Sequence, residues 1–169
     1  MNYQTLSDQS KDRVIGELAA MIMSDSLRYA NPGDSESEVE FSSVPKRYAD
    51  IDFVPPKPVR RAAEHGLFLR KKYRRGGLSN KEAGEMGIGS GVQRAVNLKN
   101  GDRVSPKVIR QMKSFYARAA KHKHGSHRDG GPSAGTIAWL LWGGDAGEEW
   151  VNRVIAEMES VDLSDEPKL

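Results

Sequence analysis

The sequence predicts an all-α protein: a compact bundle of about five short helices, with an N-terminal helix and an extended acidic arm. Three observations carry that class. Apolar residues recur at three- and four-residue intervals in successive segments. Ser-Pro, Asn-Gly and Gly-Gly pairs punctuate those segments where helices start and stop. No stretch alternates polar and apolar residues convincingly enough to be a strand. At 169 residues, 37% hydrophobic and 29% charged, the chain has the length of one domain with tails. Its low apolar share favours one small core with poorly ordered ends.

Residues 8–29 space Val14, Leu18, Met21 and Ile22 at helical intervals, with Leu27 beyond. They form the amphipathic helix of an N-terminal unit over 1–30. Residues 31–57 are acidic, serine-rich and broken by proline, without a period, and read as a linker or draped arm. A basic helical core domain is expected over 58–160. Its first helix has Pro58 in the first turn and stops at Gly76-Gly77, with Val59, Ala62, Ala63, Leu67 and Tyr73 on one face. Ser79 and Glu82 have capping-box spacing for a short helix ending near Gly87. Another helix runs from about Ser90 to Asn100-Gly101.

Ser105 as cap and Pro106 at the first helical position open the clearest helix. Val108, Met112, Phe115 and Ala119 form its inner face, with Ile109 and Tyr116 beside them. After a polar loop over 121–132, Ser133 begins a short apolar helix through Trp142. Gly143-Gly144 breaks it, and Asp145 can cap a last helix from Ala146 to about Ser160. Residues 161–169 form an acidic tail. All three tryptophans lie in "AWLLWGGDAGEEW", residues 138–150. Each can bury about 150–250 Å², so in a chain short of large apolar groups they close the fold. Leu67, Val92, Met112, Phe115, Trp139, Trp142 and Trp150 are the expected core.

Several chemistries are set aside by composition and spacing. Without cysteine there is no disulfide, no thiolate nucleophile and no cysteine-ligated zinc. The N-terminus lacks the basic-then-apolar pattern of a signal peptide, and the apolar run "IAWLLW" is too short for a bilayer. A soluble protein without membrane partners is expected. In "GEMGIGSG", Gly84 and Gly89 have phosphate-loop spacing, but Ser90 stands where the lysine belongs. The same stretch is similar to a helix-turn-helix through Ala83, Gly87 and Ile88. However, Val92 falls one position early for the second-helix anchor, so an unrelated helical hairpin is preferred.

His122, His124 and His127, with Asp129, could in principle ligate a metal. Lys121, Lys123, Arg128 and nearby Arg118 would repel the cation, and the loop looks mobile. An ordinary basic loop is the favoured reading, so neither metal nor cofactor is expected. Glu148 and Glu149 suit the first turn of a helix through its dipole. No nucleophile elbow or other catalytic constellation accompanies them, so the chain is read as a non-enzyme.

Charge segregation is the functional signal. Residues 1–54 carry five Lys/Arg against ten Asp/Glu, residues 55–128 nineteen against four, and residues 129–169 two against nine. A basic centre between acidic flanks points to an anionic partner. Arg60, Arg61, Arg70, Lys71, Lys72, Arg74, Arg75, Arg94, Lys99, Arg103, Lys107, Arg110 and Lys113 are the candidate face, distributed over three successive helices. Contact with phosphates is expected, and no residue set declares base-specific readout.

Three segments together resemble a small domain recurrent in tailed-bacteriophage genomes: "VRRAAEHGLFLRKKYRRGG", "GIGSGVQRAVNLKNGDRVSPKVIRQMKSFYARAAKHK" and "SAGTIAWLLWGGDAG". The likeness covers about residues 45–158, and its Ala-Trp-x-Leu-Trp-Gly-Gly end is the most specific part. It implies a phage origin, with some relatives beside or joined to head-assembly proteins, but carries no activity and no catalytic residues. The histidine loop and the acidic N-terminal arm lie outside the shared pattern. The resulting expectation is a nucleic-acid-binding protein, DNA favoured over RNA, in the host cytoplasm during infection or in the virion. Two alternatives stay open. One is an assembly protein docking on an acidic protein surface, with the N-terminal helix as a second contact for self-association or for a phage or host protein. The other is an inhibitor of a host nucleic-acid enzyme that uses the acidic arm as a DNA mimic.

Overall fold

A computed structural model of the chain describes residues 44–77, 81 and 91–165. The N-terminal helix expected over 8–29, residues 31–43 of the acidic arm, all but Lys81 of the capping-box helix at 79–87 and the last four residues lie outside the described residues. The protein is all-α. Five helices are described: α1 (Lys57–Tyr73), α2 (Gly91–Asn100), α3 (Pro106–Ala119), α4 (Ala134–Leu141) and α5 (Gly144–Ser164). Short 3-10 turns occupy Lys46–Tyr48 and Ala120–His122. Among the described residues there is no strand, only an isolated bridge between Ser126 and Pro132.

Local chemistry accounts for most helix boundaries. Extended Pro56 leads into α1, whose first turn contains Pro58. The helix stops three residues before Gly76, because Arg74 takes left-handed backbone (φ 53°) and its N–H bonds the Arg70 carbonyl at 2.8 Å. Gly76 and Gly77 are needed for a different reason. Both have positive φ, and a Cβ on either would come within 2.6 Å of α4 side chains, Ile137 and Leu141 respectively.

α2 ends in a Schellman motif: Gly101 N–H donates to Leu98 O and Asp102 N–H to Asn97 O, both at 3.0 Å. Ser105 and Ser133 cap α3 and α4 by accepting from Val108 N–H (3.3 Å) and Thr136 N–H (3.1 Å). Asp145 does not cap α5. The helix begins one residue before it, after left-handed Gly143, and the Asp145 carboxylate instead accepts the Trp139 indole N–H at 3.0 Å. α5 also runs four residues beyond Ser160, so the start of the expected tail is helical. Val161 packs against the core there, and Asp162 accepts the Tyr48 hydroxyl.

α1 packs on α2, α4 and α5, while α3 lies mainly along α5 and α4 sits between the two groups. The aromatic centre is built as the tryptophan cluster implied. Phe115 stacks on Trp142 at 4.3 Å and 9°, and Tyr116 meets Trp139 edge-on at 5.0 Å. Trp150 and Met112 are fully enclosed. The Tyr116 hydroxyl donates to the Trp142 carbonyl. Burial, then the charges of Glu148 and Asp145, push that phenol far above its ordinary range.

Two expected core residues are only half-buried, Leu67 and Val92. For Leu67 the reason is close backbone approach. A Cβ on Gly66 would lie 2.7 Å from Leu141 N and 2.9 Å from Leu140 C, so α1 and α4 touch main chain to main chain and Leu67 flanks the contact. On α2 the buried positions are Gly91, Ala95 and Leu98, which leaves Val92 beside the line. The end of the arm is likewise not draped. Tyr48, Ile51 and Phe53 are buried, and the Phe53 carbonyl accepts Val104 N–H at 3.0 Å. Irregular spacing hides these three from any periodic signal, yet each fills the core.

Candidate nucleic-acid interface

α1 is the element that sorts the basic residues. Val59, Ala63 and Gly66 face inward. Lys57, Arg61, Glu64, His65, Phe68, Lys71 and Lys72 are exposed and recur at helical spacing on the opposite side. Arg74 is exposed just past the helix end. Among the described residues, Arg61, Lys71, Lys72 and Arg74 have no carboxylate partner, although Lys72 also lies 5.2 Å from the Tyr73 ring. The single acid of this stripe, Glu64, sits 3.8 Å from Lys99 of α2.

Other expected phosphate contacts are spent inside the molecule. Arg60 donates to the Pro55 carbonyl at 2.8 Å and lays its guanidinium against Gly101. Arg94 lies 4.6 Å above the Trp142 ring, on the face of the aromatic cluster. Arg70 is half-buried, and its Nε has no hydrogen-bond partner among the described residues. Arg75 is the most committed. It forms a two-pronged pair with Asp129 (2.7 and 2.8 Å), donates to the Pro132 carbonyl at 3.0 Å, and stacks 4.9 Å from Tyr73. With its side chain 17% exposed, it is a clamp rather than an open cation.

The α3 cations turn towards other neighbours. Arg110 donates to the Tyr48 hydroxyl at 3.3 Å, Lys113 to the Asn152 side chain of α5, and Lys107 is half-buried. The expected face over three successive helices is therefore divided, because α3 pairs with α5 rather than with α1. Arg103 remains exposed. Its loop is held beside the start of α1 by the Gly101–Arg60 and Val104–Phe53 contacts.

The histidine loop is closed by hydrogen bonds across it and to the start of α4. His127 N–H donates to Gly131 O at 2.8 Å, Ser133 N–H to Gly125 O at 2.9 Å, and the Thr136 hydroxyl to Gly125 O at 2.6 Å. Arg75 fastens it to α1 through Asp129. The hydrogen bonds from Arg75, then from the Gly131 N–H, hold the Asp129 carboxyl well below the usual carboxylate range. His127 Nδ1 is 3.2 Å from Asp129, but the described residues contain no cluster of three or more groups able to hold a metal ion. The first helix of the helix-turn-helix comparison falls on residues outside the described set. In its second helix Gln93 is exposed and bonds Asn97 at 3.0 Å.

Lys57, His65 and Phe68 belong to the exposed stripe; Lys57 was counted but not placed on the candidate face, and His65 and Phe68 were missed by counting Lys and Arg. The outward helical phase of α1 is the signal that locates them. No helix among the described residues is long and apolar enough to cross a membrane. The chain matches no family model, no curated protein and no solved structure.

Proposed function

We propose that the chain is a non-enzymatic nucleic-acid-binding protein of phage origin that contacts phosphates through the outer side of α1, with weak sequence specificity and DNA favoured over RNA. The observation that carries this reading is the exposed set Arg61, Lys71, Lys72 and Arg74, without a carboxylate partner among the described residues. Solvated cations like these release counterions from a phosphate backbone at little desolvation cost. Arg103 extends the set at the start of the helix. The resemblance to a recurrent phage domain supplies the phage setting, in the host cytoplasm or the virion.

The test is a titration of labelled duplex DNA, single-stranded DNA and RNA at two salt concentrations. Five duplex phosphate contacts imply a slope of log K against log salt of about −4 to −5. Arg61→Glu with Lys71→Glu and Arg74→Glu should abolish binding while preserving the helical circular dichroism. Absence of binding to every nucleic acid at low salt would sink the proposal.

A second reading, docking onto an acidic protein surface during head assembly, has one observation in its favour. α5 carries six carboxylates against one arginine, so the molecule itself offers an acidic helix next to a basic one. Sedimentation that shows salt-sensitive self-association, with no nucleic-acid binding, would support it.

A further inference from the structure

One exposed side chain on α1 has no part in phosphate binding. Phe68 is 59% exposed, in a helix whose other large apolar side chains face inward or flank the core. Helix geometry aligns it with His65 three residues before, Arg61 seven before, and Lys71 and Lys72 three and four after, all exposed. The acid on the same line, Glu64, is offset by Lys99. The ring therefore stands in a cationic surrounding.

That setting selects among partners. Burying Phe68 in an apolar protein groove would draw neighbouring ammonium and guanidinium groups out of water without partners. A nucleotide satisfies both halves at once, since its base offers a π-face and its phosphate a counter-charge. In a duplex the base faces are stacked on each other, whereas a single strand leaves them available to aromatic side chains.

We infer that Phe68 is a base-stacking platform and that the α1 face takes single-stranded nucleic acid. In this arrangement Phe68 and its neighbour His65 receive bases, and Arg61, Lys71 and Lys72 meet the flanking phosphates. The inference rests on the nucleic-acid reading above and narrows it to a class of strand.

The full-length chain, its Phe68→Ala, Phe68→Leu and Phe68→Trp variants, and an Arg61→Gln variant are titrated with a labelled deoxythymidine oligomer, a labelled duplex and vesicles of anionic phospholipid. Stacking on one aromatic side chain is worth about 1–3 kcal/mol. Single-strand affinity should therefore fall about 5- to 150-fold in the Ala and Leu variants and return with Trp. The salt slope should stay unchanged in Phe68→Ala and become shallower in Arg61→Gln. Duplex binding should not respond to position 68. Full affinity in Phe68→Ala, or equal affinity for Leu and Phe, overturns stacking. Vesicle binding that depends on Phe68, without oligomer binding, assigns the face to a membrane surface and overturns the inference. Duplex binding alone, indifferent to Phe68, defeats this inference but leaves the broader reading standing; failure of every nucleic acid at low salt removes both.

Discussion

Gly66→Ala tests the packing logic of the fold most directly, because two effects of opposite sign meet there. In an unpacked helix the change is favourable by about 0.8–1 kcal/mol. At the α1–α4 contact the new Cβ would sit 2.7 Å from Leu141 N, 2.9 Å from Leu140 C and 3.1 Å from Leu140 Cβ. Two of these atoms are main chain and cannot rotate aside. Restoring ordinary contact at about 3.5 Å requires the helices to separate by roughly 0.8 Å. Separation is resisted, since Gly76 and Gly77 hold the following chain against Ile137 and Leu141 of the same helix. Overpacking costs about 1–3 kcal/mol, and a backbone clash belongs at the upper end. The net expectation is a loss of about 2 kcal/mol. Urea unfolding followed by tryptophan fluorescence measures it, and the midpoint temperature should fall by about 6–8 °C. His65→Ala, one residue away and exposed, is the control and should be neutral or slightly stabilising. A Gly66→Ala protein as stable as the parent would refute the account of α1 and α4 meeting through their backbones.

Trp142→Ala removes the stack on Phe115 and the seat of Arg94; it should cost about 3–5 kcal/mol in urea unfolding, with any loss of ligand binding following loss of fold. Asp129 has a folded pKa below its unfolded value, so its contribution is full above about pH 4 and is lost as pH falls through the lower folded value. Its carboxyl carbon resonance should therefore stay unchanged through the ordinary aspartate range and titrate there in Arg75→Ala. Tyr116 has the opposite sign: its folded pKa is raised, so stability is full below about pH 10 and declines as pH rises further towards the folded value. Alkaline titration at 295 nm should show Tyr116 ionising only with unfolding, a step missing in Tyr116→Phe.

How much was legible in the sequence depended on the kind of signal. Caps and stops came through because they are local chemistry: Ser105, Ser133 and Gly101 act within a few residues of themselves. The α3 inner face and the tryptophan cluster followed from period and size. Tyr48, Ile51 and Phe53 did not, because irregular chain packs without a period. Asp145 shows another limit. Its position at a helix start suggested a cap, but the acceptor it provides serves an indole from the preceding helix. Leu67 illustrates a third, since side-chain size ranks burial only until a glycine lets two backbones meet, and Val92 lies beside the buried line of α2. For the candidate interface, the count of cations was legible while their employment was not.

That last distinction bears on how the basic centre works. Arginine's planar fork suits it to internal clamps, and Arg60, Arg75 and Arg94 are used in that way: against a turn carbonyl, a carboxylate and an indole. These contacts hold the ends of α1 and the face of the aromatic core, so they keep the helix in place while adding little open charge to its outer side. The exposed Arg61, Lys71, Lys72 and Arg74 make few internal contacts and can be altered without disturbing packing. One run of basic sequence therefore contains two populations that substitution separates. Changing the clamps should lower stability with binding lost only secondarily, whereas changing the exposed set should lower affinity and the salt slope at constant stability. A protein in which Arg75→Ala left the melting temperature untouched but weakened a phosphate ligand would reverse this division and make the clamp part of the binding face.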